Sequence, residues 1–176
     1  MSTMKLIGKG SFSTVYRKSL DKVLIKSIDD VKECMSLGWF PKSNMFPKMV
    51  RVSKDGDYTF YESNYYPKVR SLKSELNSLD WEFYNILRNL SGYNNGKDSG
   101  YIQWIKQFET IPDKFKYRKT ILLDVLNALA AYGDDMCFEI SPRNVSVKNK
   151  RLILLDCFFF RSQLVSSRNR HRKILY

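Results

Sequence analysis

The chain has 176 residues, with 30 Lys and Arg against 18 Asp and Glu, a formal net charge of +12. That length suits one domain or two small lobes, and 43% hydrophobic residues suffice for a real core. No apolar stretch approaches the roughly 18–20 residues of a membrane span. The single histidine, His171, excludes histidine triads and histidine metal sites, and Cys34, Cys137 and Cys157 lie too far apart for a zinc or thiol-redox motif.

The first ten residues, MSTMKLIGKG, lack an apolar signal-peptide core, so a cytoplasmic location is expected. Beyond Asn144 the single acid is Asp156, against Lys148, Lys150, Arg151, Arg161, Arg168, Arg170, Arg172 and Lys173. A basic surface favours polyanions, acidic protein patches or phosphate-bearing ligands, and nucleic acid is one candidate partner.

In chain order, Met4 to Ser27 predicts three short strands with a glycine turn between the first two. In the third, KVLIKS, Val23 and Ile25 alternate against Leu24 and Lys26. Asp29 to Leu37 predicts a brief helix, capped by Asp29 or Asp30 and stopped by Gly38. Lys48–Ser53 and Tyr58–Asn64 predict a hairpin about Asp55-Gly56. The composition then changes. Leu72, Leu76, Leu79, Phe83, Ile86 and Leu90 recur at helical spacing and predict one amphipathic helix over Ser71–Leu90. Ser91–Gly100 predicts a loop with a turn at Asn95-Gly96. Tyr101–Glu109 predicts a short helix and Asp113–Tyr132 a long one. The expected organisation is therefore α+β: a strand-rich lobe over 1–66, a helical lobe over 67–160 and a basic tail over 161–176.

Three stretches carry chemistry. Gly8-Lys9-Gly10-Ser11-Phe12-Ser13-Thr14-Val15 matches G-x-G-x-F-x-x-V, with Ser13 in place of a third glycine. Glycines let backbone N–H groups approach phosphate oxygens without a Cβ clash. Lys26 ends Val23-Leu24-Ile25-Lys26, close to V-A-I-K, and Glu33 on the following helix is its best acidic partner, ahead of Asp29, Asp30 and Glu62. Between Cys137 and Phe160 lie Glu139, Asn144 five residues on, and Asp156. Asp156 follows Leu152-Ile153-Leu154-Leu155 and precedes Cys157-Phe158-Phe159-Phe160. An unpaired carboxylate within such a buried run costs several kcal/mol, and a metal ion is the expected partner.

Taken together, the glycine turn, the strand lysine and the acid-x-x-x-x-Asn loop followed by a second acid resemble the eukaryotic-like protein kinases. They are most similar to the compact early serine/threonine kinases of T-odd podophages, over roughly Leu6 to Phe160. The resemblance implies a minimal bilobal fold, with a five-stranded sheet and one helix above a reduced helical lobe. It implies ATP and Mg2+, and γ-phosphoryl transfer to Ser or Thr of host proteins, including transcription or RNA-processing machinery. It also implies roles: Gly8 to Ser13 and Val15 over the nucleotide, Lys26 held by Glu33 on the phosphates, and backbone near Glu62–Asn64 at the adenine edge. Glu139 stands where the catalytic acid stands, and Asn144 and Asp156 stand at the metal-binding positions.

The chain departs from that pattern. The catalytic Asp is Glu139, the residue two on is Ser141 rather than Lys or His, and Arg143 is the nearest cation. Asp156-Cys157-Phe158 lacks the D-F-G glycine, and no A-P-E segment follows. Two alternatives therefore stand beside an active kinase. One is a pseudokinase that inhibits or redirects a host enzyme by direct binding. The other is a basic nucleic-acid-binding protein, which no RNP, zinc or helix-turn-helix signature supports.

Overall fold

The fold was read from a computed structural model that describes residues 4–91 and 100–173. The expected turn at Asn95-Gly96 lies outside the described residues. Five antiparallel strands come first: β1 (Lys5–Lys9), β2 (Ser13–Arg17), β3 (Lys22–Ser27), β4 (Met49–Asp55) and β5 (Tyr58–Asn64). They stand in the order β1-β2-β3-β5-β4. One helix, α1 (Asp30–Ser36), is inserted between β3 and β4, and Asp29 caps it by accepting from the Val31 N–H. The inner face of the sheet buries Val23, Ile25, Met49 and Tyr61, with Ile7, Val15 and Met35 packed against them.

The helical lobe follows: α2 (Leu72–Glu75), α3 (Ser78–Leu90), α4 (Tyr101–Glu109) and α5 (Lys116–Leu129), with a 3-10 turn at Asp113–Phe115 leading into α5. The single helix expected over Ser71–Leu90 is broken. Leu76 is extended, with ψ 149°, and Asn77 restarts the helix by accepting from the Asp80 N–H. Asn77 also donates its N–H to the Lys150 carbonyl at 2.9 Å. A side-chain cap and a bond to a distant turn outweigh propensity here, while the apolar spacing continues across the break.

Two short strand pairings complete the lobe. β6 (Met136–Phe138) pairs with β9 (Phe158–Phe160), and β7 (Val145–Lys148) pairs with β8 (Arg151–Leu154). The β7–β8 turn places Asn149 and Lys150 at φ 53° and 61°, as a two-residue hairpin turn requires. β6 was not foreseen, and β9 forms from the apolar run that follows Asp156. The expected basic tail is helical instead: α6 spans Arg161–Lys173.

Val31 and Cys34 of α1 belong to the same buried cluster as Leu122, Leu126, Phe138 and Phe158. The helix of the strand-rich lobe is thus rooted in the core of the other lobe. Among the described residues, no helix is long and apolar enough to cross a membrane.

Candidate functional site

The loop from Glu139 to Asn144 folds around Asn144. Its Oδ1 accepts from the Ser141 N–H at 2.7 Å and from Ser141 Oγ at 3.2 Å. Its Nδ2 donates to the Glu139 carbonyl at 2.9 Å. Its own carbonyl accepts from the N–H groups of Leu155 and Asp156 at 2.9 and 3.2 Å. The Glu139 N–H donates to the Cys157 carbonyl at 2.8 Å. These bonds bring Glu139, Asn144 and Asp156 together, although seventeen positions separate the first from the last. The carboxylate of Glu139 is exposed, and Arg143 lies exposed on the same loop.

Asp156 does not sit in the buried strand. β8 ends at Leu154, and the Asp156 side chain is 47% exposed at the bend that follows. Its partner within the chain is a lysine. Lys32 of α1 donates from Nζ to Asp156 Oδ1 at 2.7 Å, and to Asp29 Oδ2 at 2.7 Å. The Lys32 and Asp29 side chains are 6% and 0% exposed. Burial alone would release the Lys32 proton, but the two carboxylates, Asp156 first, outweigh it and raise its pKa. Burial raises the pKa of Asp29, against the opposing pull of Lys32. The cluster carries two carboxylates and one ammonium.

Lys26 is elsewhere. Residues on β3 alternate, with Val23, Ile25 and Ser27 buried, so Lys22, Leu24 and Lys26 face outward. A one-residue step along a strand changes the face of the sheet. Lys26 Nζ lies 4.2 Å from the centroid of the Tyr58 ring on that outer face. Glu33 stands on α1, which packs against the inner face, so the sheet separates it from Lys26. Glu62 and Asn64 also point outward, to Lys18 and Lys22 respectively. Their backbone is engaged in ladders: Glu62 pairs with Leu24 and Val50, and Asn64 with Lys22. The β4 ladder takes up Glu62 and ends at Ser63, so of the expected adenine contacts Glu62 is engaged and the β4 side of Asn64 is not.

The glycine turn joins β1 to β2 and lies against the Asp156 segment. Phe12 faces Phe159, with ring centroids 6.4 Å apart. The Phe12 carbonyl accepts from the Ile28 N–H at 3.1 Å and from Ser27 Oγ at 3.1 Å. Ser13 is buried, its Oγ 2.7 Å from Ser27 Oγ. From α6, Ser167 Oγ donates to the Ser11 carbonyl at 2.6 Å. Lys9 and Ser11 are exposed, and Val15 packs on the inner face. Neither Gly8 nor Gly10 has a left-handed φ, and a Cβ at either would meet nothing closer than 3.8 Å. This conformation does not itself require glycine there.

The residues fit a magnesium ion that arrives with phosphate. Mg2+ is commonly held by one or two carboxylates together with substrate phosphates. Asp156 offers one exposed carboxylate with an oxygen that Lys32 does not take. Asn144 Oδ1 already accepts two bonds, so it serves the loop rather than a second ion. Among the described residues, no group of three or more His, Cys, Asp or Glu could hold a metal unaided. The cavity beside Asp156, lined by Val31, Lys32, Phe46 and Phe158, measures about 10 Å³, room for about one water.

Sequence reasoning did not single out Lys32. The signal was present in the parity of β3, which turns Lys26 outward, and in the Asp29–Lys32 spacing at the start of a helix. Burial holds the thiol of Cys157, the neighbour of Asp156, well above its usual range.

No family model matches the chain, and no curated protein matches it. Among solved structures, the chain is similar to the streptomycin–ATP–APH(2")-IIa ternary complex, at 16% identity and a TM-score of 0.40, over 90% of this chain and 67% of that one. It is similar to a Legionella pneumophila kinase bound to IP6, at 14% identity and a TM-score of 0.41, over 97% and 58% of the two chains. A gentamicin–APH(2")-IIa complex matches at 13% identity and a TM-score of 0.38, over 88% and 64%. The chain thus spans 58% to 67% of the length of these proteins.

Proposed function

We propose that the chain is a minimal ATP-dependent phosphotransferase acting on protein serine or threonine. The observation that supports this is the convergence of Glu139, Asn144 and Asp156 through one backbone network, beside a buried ammonium. Phosphoryl transfer asks little covalent chemistry of a protein. It asks for in-line positioning and for charge to meet the developing charge on the phosphoryl oxygens. Glu139 presents an exposed carboxylate to orient an incoming hydroxyl and accept its proton late. Asn144 fixes the Glu139 backbone. Asp156 would hold Mg2+, which would supply positive charge to offset that of the phosphates. Glycines that the resting turn does not need suit a turn that must lift and let phosphate approach its backbone.

The motif resemblance to podophage kinases extends the proposal to host proteins in an infected bacterium, and the net charge of +12 favours acidic substrates. Transfer of radiolabel from γ-labelled ATP to proteins of a bacterial lysate tests the activity directly. Absence of labelling at any magnesium concentration would leave no kinase.

Binding has its own test. At a hundred times its Kd, a ligand stabilises the folded state by about 2.7 kcal/mol, a rise in Tm of roughly 5–10 °C for a chain of this size. Magnesium-ATP is expected to give that rise in the wild type, and Asp156→Ala to lose most of it. An unchanged Tm in the wild type removes the nucleotide from the account.

A second reading, a pseudokinase that binds a host enzyme, is favoured by one observation: the turn is held down at Phe12 and Ser11 while Asn144 Oδ1 is already filled. Nucleotide binding without any transfer selects that reading.

A further inference from the structure

We propose that Lys32, and not Lys26, is the cation that meets the nucleotide phosphates, with Asp29 as the residue that positions it. This rests on the nucleotide-binding reading above. β3 carries the lysine that the motif points to, yet its buried residues are Val23, Ile25 and Ser27. Lys26 stands one residue out of phase, and its ammonium rests over Tyr58 on the far side of the sheet. The inward position that a lysine would need is occupied by Ser27, whose hydroxyl is committed to Ser13 and to the Phe12 carbonyl.

Lys32 supplies what β3 lacks. Its ammonium lies 2.7 Å from Asp156 Oδ1, beside the carboxylate that would hold the metal. An ammonium has three N–H donors. Among the described residues two are used, by Asp156 and Asp29, and one is left for an oxygen of a ligand.

Asp29 divides its carboxylate between two tasks. Oδ1 accepts from the Val31 N–H and starts the helix, and Oδ2 holds Lys32 Nζ. The ammonium is thereby fixed to the helix that carries it, and Val31 and Cys34 fix that helix in the core. A purely structural ion pair between α1 and the Asp156 bend would need the same contacts, so the distinction lies in ligand preference. A phosphate-binding cation matters to ATP and not to adenosine.

The test measures affinities for magnesium-ATP and for adenosine by calorimetry. Lys32→Met is made together with Asp29→Asn, so that no buried carboxylate loses its counter-charge while the helix cap survives. The pair is expected to weaken ATP binding by about tenfold or more, the worth of a charge-assisted hydrogen bond, and to leave adenosine within about twofold. Asp29→Asn alone is expected to lower ATP affinity by a smaller factor, again without moving adenosine. Lys26→Met is expected to change neither ligand, and Lys32→Arg to retain most of the ATP preference because the charge is kept. An unchanged ratio of ATP to adenosine affinity in the Lys32 variant, with wild-type binding intact, overturns the assignment of Lys32 alone. Loss of ATP affinity in Lys26→Met overturns it as well. A wild type that binds no ATP takes down the nucleotide reading and the role of Lys32 together.

Discussion

Replacing Asp80 by alanine is expected to destabilise the fold by about 3–5 kcal/mol, the usual cost of removing one partner from a buried charged pair. Asp80 lies on α3 with its side chain 4% exposed. Its Oδ1 accepts from Arg118 on α5 at 2.6 Å and from Asn77 Nδ2 at 3.1 Å. Its Oδ2 accepts from the Leu152 N–H at 2.7 Å, at the head of β8. One carboxylate therefore joins two helices to the strand that leads into Asp156. Without it, the Arg118 guanidinium and a buried backbone N–H both lose their acceptor. Asp80→Asn keeps the shape and part of the bonding, and should cost less. Urea denaturation checks both, with the alanine variant expected to unfold at a much lower midpoint and an unchanged slope. A loss below about 1 kcal/mol would mean that the junction is held by its apolar contacts alone.

Glu139→Gln is expected to keep ATP affinity and to lose transfer by roughly 10²–10⁴-fold, the range of general-base contributions. The Glu139 backbone is held independently of its side chain, by the Asn144 Nδ2 donation and by the Cys157 carbonyl. The substitution therefore removes the base and leaves the loop in place. Glutamate is one methylene longer than the aspartate of the resembling family, a reach of roughly 1.5 Å, and misplacement on that scale can cost on the order of a hundredfold. Glu139→Asp should then recover part of the rate only as far as the loop relaxes. Single-turnover transfer and ATP affinity, measured on the same preparations, separate chemistry from binding. Transfer by Glu139→Gln at the wild-type rate would falsify the role of Glu139 while leaving the nucleotide site standing.

Much of this architecture is legible in the chain because it is written locally. The five strands, the Asp29 cap, the Asp55-Gly56 hairpin and the helix at Tyr101–Glu109 follow from period and turn chemistry. What is not legible depends on partners far away in sequence. The break at Leu76 follows from a bond between Asn77 and Lys150. The β6–β9 pairing joins two three-residue segments, too short to show a period. The partner of Asp156 lies 124 residues upstream, on a helix whose lysine looks like any surface lysine. Lys26 is a different case. The alternation of Val23 and Ile25 against Leu24 and Lys26 already placed that side chain outside, and the motif spacing argued against the pleat. Where a motif and a strand parity disagree, the parity is the harder constraint, since a slip of one residue reverses every side chain.

The bond from Ser167 to the Ser11 carbonyl joins two ends of the described chain, 156 positions apart. Of its side chains up to Ser167, α6 offers only Leu164 and Val165 as apolar anchorage, and Val165 is exposed. Such a helix belongs to the low end of the local opening free energies within a fold. Amide hydrogens of α6 and of the Gly8–Ser13 turn should therefore exchange with deuterium at a common rate, and Ser167→Ala should speed both. Ligand association would then be timed by the fraying of the last helix rather than by diffusion to the site.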